Sequence, residues 1–251
     1  MLGKISRSYA VMQLTRRYFR PSQVPETCNY YINGVQRTIC GQYALTMLMA
    51  IVLNDCYGLK RFKSIDNIVD IGANIGVFSV HAATLFPQTK IYAYEPCSQV
   101  LPDLEKNLQD LNVEISSYAV GRTTKKVNLT FQEDLTASSI LMTGEDSSQK
   151  SQCQMIAFDE VTAQLGGSIG LLKLDCEGSE YEILKSISLE KVKYVVGEFH
   201  TCQSGYPELG LELLKERGFV IDNWTPFPDG KAGEFWASNI RNTPQEKAWL
   251  V

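Results

Sequence analysis

Residues 65–76 read Ile65-Asp66-Asn67-Ile68-Val69-Asp70-Ile71-Gly72-Ala73-Asn74-Ile75-Gly76, and their order decides the fold. A short apolar strand ends at Asp70 and Ile71. A turn bearing Gly72 and Gly76 follows, and then an apolar helix over Val77–Phe86. Glycines at such a turn let the backbone pass close to a ligand where a Cβ would collide. The new helix presents its free N–H groups at the same place. From Ile65 onward apolar strands alternate with amphipathic helices, the pattern of an α/β, mostly parallel sheet with helices on both faces.

Working outward, strands are expected at Ile65–Ile71, Lys90–Tyr94, Glu114–Ala119, Lys125–Phe131, Ser138–Met142 and Gln154–Phe158. Gly170–Leu174 reads as a central strand, followed by Tyr194–Phe199, Phe219–Asn223 and Glu234–Ser238. Helices are expected at Val77–Phe86, at Ser98–Leu111 with Ser98 as N-cap, at Ser179–Ile187 and at Glu208–Arg217, where Gly218 stops the last. Thr143–Gln152 is polar and reads as a loop. Residues 1–63 form an N-terminal extension, a candidate lid or substrate cover, and residues 64–251 the main domain. Within the extension, Ser6–Tyr18 suits a helix and Pro21 and Pro25 break it. Asn33-Gly34 between two β-rich runs signals a two-residue hairpin. Gly41 precedes a helix running to about Cys56, with Gly58 beyond its end.

A chain of 251 residues, 44% hydrophobic and 21% charged, can bury a sizeable core. Its net charge of −4 offers no basic excess for phosphates, so no nucleic-acid partner is expected. The trio Arg16, Arg17 and Arg20 reads as a solvated helix face. Seven scattered cysteines lack a Cys-x-x-Cys pair, so reduced thiols in a cytoplasm are expected, with neither a disulfide framework nor a metal-binding cysteine set. The longest apolar run, Tyr43–Leu53, is too short for a membrane span. No secretory signal is evident.

Asp70, beside the first glycine, separates two ligand classes. A pyrophosphate would not tolerate a carboxylate at that edge, whereas a cationic ligand favours one. Glu95-Pro96 follows the second strand at the distance where an acidic residue accepts the hydroxyls of a ribose. S-adenosylmethionine, with an ammonium, a sulfonium and a ribose, answers both features. Gly72-Ala73-Asn74-Ile75-Gly76 is not the Gly-x-Gly-x-x-Gly of nicotinamide-binding turns. The bland alternative is a tight turn with a surface glutamate.

The ligand in an open α/β sheet lies beyond the carboxyl ends of the central strands. Asp175 and Glu177, after the Gly170–Leu174 strand, and Glu198 and His200, at the end of the next, should converge there. His200 has the ordinary pKa for a general base and is one of two histidines. The other, His81, lies mid-helix and reads as a packing or surface residue. The plain alternative for His200 is a structural histidine bonded to Glu198. Asp175 has two open roles, orienting an acceptor or joining Glu198 and His200 around magnesium or calcium. Spacing does not force a metal, and none is predicted. Glu180, one helical turn beyond Glu177, reads as a solvated carboxylate.

These blocks resemble the FkbM family of S-adenosylmethionine-dependent methyltransferases. The resemblance rests on Val69–Gly76, Tyr92-Ala93-Tyr94-Glu95-Pro96, Asn107, Ala119-Val120-Gly121 and, most specifically, Leu172–Lys185 with its Asp175-Cys176-Glu177-Gly178-Ser179-Glu180 core. It implies a class I methyltransferase (Rossmann-like), mostly parallel seven-stranded sheet with a reversed final hairpin. It also implies O-methylation of a small molecule such as a secondary metabolite or sugar. By position it implies that Asp70, Gly72, Asn74 and Gly76 hold the methionine part, with Asp175 beside them. Glu95 and Pro96 would take the ribose, and Tyr118 and Ala119 the adenine edge. Ser138 and Ser139 match a segment near the acceptor. An amine acceptor, or cofactor binding without catalysis, stays open at this stage, as does monomer against homodimer.

Overall fold

The computed structural model describes residues 26–131, 138–139 and 150–242. The expected helix Ser6–Tyr18, the Pro21–Pro25 break and residues 140–149 of the expected strand and polar loop lie outside the described residues. The chain opens with the hairpin β1 (Thr27–Ile32) and β2 (Val35–Cys40), turning at Asn33-Gly34 as the dipeptide demands; both residues have positive φ. Helix α1 (Ala44–Met47) continues as a π-helix over Leu48–Leu53, and a 3₁₀ turn follows at Leu59–Arg61.

The main sheet takes its strands from β3 (Asn67–Ile71), β4 (Lys90–Tyr94), β5 (Val113–Ser116), β10 (Ile169–Leu174), β11 (Val192–His200), β12 (Phe219–Pro226) and β13 (Ala232–Asn239). Its seven strands lie in the order β12-β13-β11-β10-β3-β4-β5. All neighbours pair in parallel except β13, which runs antiparallel to both β11 and β12. The final hairpin is therefore reversed, as the resemblance implied. Every residue of β10 is buried, the mark of a strand covered on both faces. The covering helices are α2 (Val77–Leu85), α3 (Leu101–Leu108), α4 (Phe158–Gln164), α5 (Glu180–Leu184) and α6 (Pro207–Glu216). The chain winds outward through β3, β4 and β5, then returns to the other side of β3 through β10. The order thus reverses between β3 and β10, and a ligand crevice belongs at their carboxyl ends.

Three expectations are corrected. The strand expected over Glu114–Ala119 divides, because the exposed Ser117 and Tyr118 lead the chain out of the main sheet. Ala119–Gly121 then forms β6 of a second, four-stranded sheet, ordered β6-β9-β7-β8 with β9 (Lys150–Ala157), β7 (Lys125–Phe131) and β8 (Ser138–Ser139). Ser98 does not cap a helix: α3 starts at Leu101 behind Val100 with no side-chain cap. Pro102 in its first turn and the Cys97–Val100 turn set that start instead. Lys150–Gln152, read as loop, belong to β9.

The described part of the extension shares the core of the main domain. Ile39, Ala44, Leu48 and Val52 pack in one apolar cluster with Ile75, Val77, Val80 and Leu104. Buried Asn107 pins this seam. Its amide donates to the carbonyls of Cys40 (2.7 Å) and Ile75 (2.8 Å) and accepts from the Cys40 N–H. Both of its N–H donors and one acceptor position thus join hairpin, turn and α3.

Candidate methyl-transfer site

The glycine turn sits at the carboxyl end of β3, where Gly72 and Ala73 N–H both donate to Tyr94 O. Gly72 adopts φ +80°, and a Cβ there would lie 1.9 Å from the Asp175 carbonyl oxygen. Gly76, at φ +87°, would bring a Cβ to 2.8 Å from Leu104. Protein packing therefore calls for glycine at Gly72, where the obstacle is backbone, whatever the turn binds, while at Gly76 the nearest atom is a leucine methyl. Glu95, 6% exposed, accepts the N–H groups of Asn74 (2.8 Å, Oε2) and Cys97 (2.9 Å, Oε1). Burial pushes its pKa up, and those two N–H groups pull it back. The carboxylate is held rigidly beside the turn with lone pairs left for further donors. Pro96 follows it, half-buried.

Asp70 is fully buried, with Oδ2 accepting from Ser79 Oγ at 2.7 Å and Oδ1 3.1 Å from Lys173 Nζ. Its charge is met inside the protein, by Lys173. Lys173 also donates to Gly72 O and approaches Asp175 Oδ2 at 3.8 Å. Burial works against its charge, but Asp70 and Asp175 outweigh burial and keep it protonated. A lysine inside the otherwise apolar β10 thus welds the turn to the neighbouring strand.

Asp175, Glu177, Glu198 and His200 do converge. Asp175 N donates to Ile71 O, joining the ends of β10 and β3. Its Oδ2 accepts a 2.7 Å hydrogen bond from the Tyr57 hydroxyl. His200 Nε2 lies 3.4 Å from Glu198 Oε2 and 3.7 Å from Glu177 Oε2, and Nδ1 lies 3.5 Å from Glu180 Oε1. Burial lowers the affinity of the imidazole for a proton, but the surrounding carboxylates, Glu177 foremost, prevail and raise its pKa well above the usual value. Burial and the nearby Asp175 raise Glu198 in turn. Glu177 holds a left-handed backbone, φ +56°.

Glu180 is not solvated. It is fully buried and accepts the N–H groups of Cys176 (3.0 Å) and Gly178 (2.7 Å), which fixes the loop that presents Asp175 and Glu177. Tyr57, Lys173 and Glu234 are further site residues that sequence reasoning missed. Glu234 is buried directly opposite Glu198 in the β11–β13 register. Lys173 carried a legible signal, a lysine in a strand apolar on both faces; Tyr57 carried none. Tyr118 is 42% exposed and Ala119 buried, both at the entry to the second sheet. Ser138 and Ser139 form β8 by backbone pairing with Thr130 and Phe131 of β7. His81, the other histidine, is fully buried in α2.

A doubly wound sheet with its glycine turn, its acidic residue after the second strand and polar loops at the switch point defines a class I S-adenosylmethionine-dependent methyltransferase. The fold agrees with solved structures: Aeropyrum pernix fibrillarin with natively bound S-adenosyl-L-methionine aligns at TM-score 0.50 and 14% identity, covering 86% of this chain and 84% of that one. A S-adenosylmethionine-dependent methyltransferase from Agrobacterium tumefaciens aligns at TM-score 0.50 and 9% identity, over 86% of this chain and 71% of that one. The family model of the methyltransferase FkbM domain matches residues 70–221, and the chain belongs to that family. Among curated relatives, methyltransferase sdnD of Sordaria araneosa is 28% identical over 70% of this chain and 83% of its own length. Methyltransferase 1 of Beauveria bassiana is 26% identical over 72% and 84%. The 31-O-demethyl-FK506 methyltransferase FkbM of Streptomyces tacrolimicus is 25% identical over 62% and 73%. Among the described residues no helix is long and apolar enough to cross a membrane.

Proposed function

We propose that this chain moves the methyl group of S-adenosylmethionine onto a hydroxyl of a small molecule, with His200 receiving the hydroxyl proton after giving up the one that its carboxylate neighbours favour. The observation that carries this reading is the placement of Asp175, Glu198 and His200 together at the carboxyl ends of β10 and β11, beside the glycine turn. When bound, the cofactor supplies an electrophilic methyl group and a sulfur that departs as a neutral thioether. The protein is left with alignment and proton removal. Alignment contributes several kcal/mol, and a positioned base about 10²–10⁴-fold.

The turn Gly72–Gly76 and Asn74 hold the methionine part, with Asp70 acting through Lys173 rather than by direct contact. Glu95, with Pro96, takes the ribose hydroxyls on its remaining lone pairs. Tyr118 and Ala119 flank the adenine, and Ser138 and Ser139 lie toward the acceptor. Asp175 and Glu177 orient the acceptor, and Glu198 steadies the imidazole. The printed name of the Streptomyces relative denotes methylation of an oxygen, which supports a hydroxyl acceptor here. The crowd of carboxylates favours a second reading, an amine acceptor.

The test has two stages. Calorimetry with S-adenosylhomocysteine is expected to show one site, and absence of binding overturns the reading. A mass-spectrometric screen of hydroxylated and amine-bearing acceptors then identifies the methylated atom. Methylation of nitrogen alone, or a His200→Ala enzyme that keeps full turnover, overturns the hydroxyl-and-base assignment.

A further inference from the structure

Asp175 follows β10, while Glu198 and His200 stand two apart on β11 and so face the same side of that strand. One ligand atom from each of the three lies within 4.8 Å of the others, and His200 Nε2 is 3.4 Å from Glu198 Oε2. Oxygen and nitrogen atoms sharing one divalent ion at about 2.1–2.2 Å stand roughly 3.0–4.4 Å apart, depending on the angle between them. A contraction of a few tenths of an ångström therefore closes this set around an ion. The Asp175 carboxylate is held by a side-chain donor, and the backbones that carry His200 and Glu198 are fixed. Tyr57 donates to Asp175, the Tyr181 hydroxyl donates to the His200 carbonyl (2.7 Å), and β13 pairs with the backbone of Glu198.

Two independent observations call for a cation here. The first is charge: Asp175, Glu177, Glu198 and buried Glu234 gather in one place, with Lys173 shared between Asp70 and Asp175. The second is His200 itself. Its Nε2 faces Glu198 and Glu177, while its buried Nδ1 is turned to the Glu180 carboxylate at 3.5 Å, the arrangement in which a metal-bound imidazole leans on a second carboxylate. A carboxylate cluster alone would be mere repulsion; an imidazole among the carboxylates makes a mixed donor set that suits a divalent ion of the manganese kind.

We propose that Asp175, Glu198 and His200 bind one divalent cation. Its catalytic role rests on the methyl-transfer reading, whereas its binding does not. Where the ion is seated, His200 serves as a ligand, the ion would lower the pKa of the acceptor hydroxyl, and the neighbouring Glu177 carboxylate would take the proton in place of the imidazole.

The experiment is a titration of the full chain with Mn²⁺, with and without S-adenosylhomocysteine, followed by the electron paramagnetic resonance signal of the free ion. One saturable site is expected, with pulsed spectra showing a directly bound imidazole nitrogen. Glu198→Gln and His200→Ala should each weaken uptake at least tenfold, and Asp175→Asn provides a nearly isosteric check if either fails to fold. No saturable uptake at millimolar ion, or a bound ion without a nitrogen ligand, overturns the site. If S-adenosylhomocysteine binds while Mn²⁺ does not, the ion fails and the methyl-transfer reading stands. The reverse result sinks the methyl-transfer reading and keeps the ion site.

Discussion

The hydroxyl of Tyr57 reaches across 118 residues of sequence to donate a 2.7 Å hydrogen bond to Asp175 Oδ2. The segment before the first sheet strand thereby supplies a wall of the site. Tyr57 is 3% exposed, packs edge-on against Phe78 and lies under the Lys173 ammonium. Burial, and then Asp175, raise its pKa well above the ordinary value, so it stays a neutral donor.

Tyr57→Phe keeps the ring and removes only that donor. A hydrogen bond to a charged group contributes about 1.5–3 kcal/mol. For a chain of this size each kcal/mol shifts Tm by about 2–4 °C. The variant should melt several degrees lower by calorimetry while binding S-adenosylhomocysteine as the wild type does. An unchanged Tm would mean that Asp175 finds another donor at no cost.

Gly72→Ala and Gly166→Ala form a matched pair. Both glycines have positive φ, +80° and +77°, but only Gly72 faces an obstacle, the Asp175 carbonyl at 1.9 Å, whereas nothing lies within 4 Å of Gly166. Gly166→Ala should cost only the backbone strain of a left-handed alanine, about 1 kcal/mol. Gly72→Ala must part the ends of β3 and β10 and should lose S-adenosylhomocysteine binding in calorimetry. Equal behaviour of the two variants would remove Asp175 as the reason for glycine at 72.

This pair also shows what the sequence disclosed and what it withheld. Val69–Gly76 placed the strand, the turn and the helix, because apolar periodicity and glycine are local signals. The convergence of Asp175, Glu177, Glu198 and His200 was legible too, because parallel strands present their carboxyl ends together. What Gly72 avoids was not legible, since the obstacle is a backbone atom about a hundred residues away. Glu180 looked solvated because spacing shows a helix face and not the loop folded over it. Asp70 was expected to favour a cationic ligand, and the cation it meets in the fold is Lys173 of the neighbouring strand. Tyr57 gave no sign at all, since the approach of the extension to the sheet is a matter of tertiary packing.

Lys173→Met should be more damaging than its conservative volume suggests. Lys173 and Asp70 are both buried, 3.1 Å apart, and the substitution leaves the Asp70 charge uncompensated. Breaking one side of a buried pair costs about 3–5 kcal/mol. In urea titrations Lys173→Met should lose that much, and Lys173→Met/Asp70→Asn should recover part of it. Losses that simply add would show that the two residues do not act as a pair.

His81 makes the fold acid-sensitive. It is fully buried in α2, and neither ring nitrogen has a hydrogen-bond partner. Burial first, and then the charge of Lys60, lower its pKa from 6.5 to about 4. The unfolded chain therefore takes up a proton below about pH 6.5, while the native state resists until about pH 4. The contribution to stability is complete above that upper limit and shrinks as the pH falls, by roughly 2–3 kcal/mol at about pH 4.5. His81→Leu removes the titration and a buried unpaired polar ring together. Urea unfolding of both proteins between pH 7 and 4.5 should show the variant gaining on the wild type as acid is added. A gap that stays constant with pH would mean that the native protein protonates His81 as readily as the unfolded chain does.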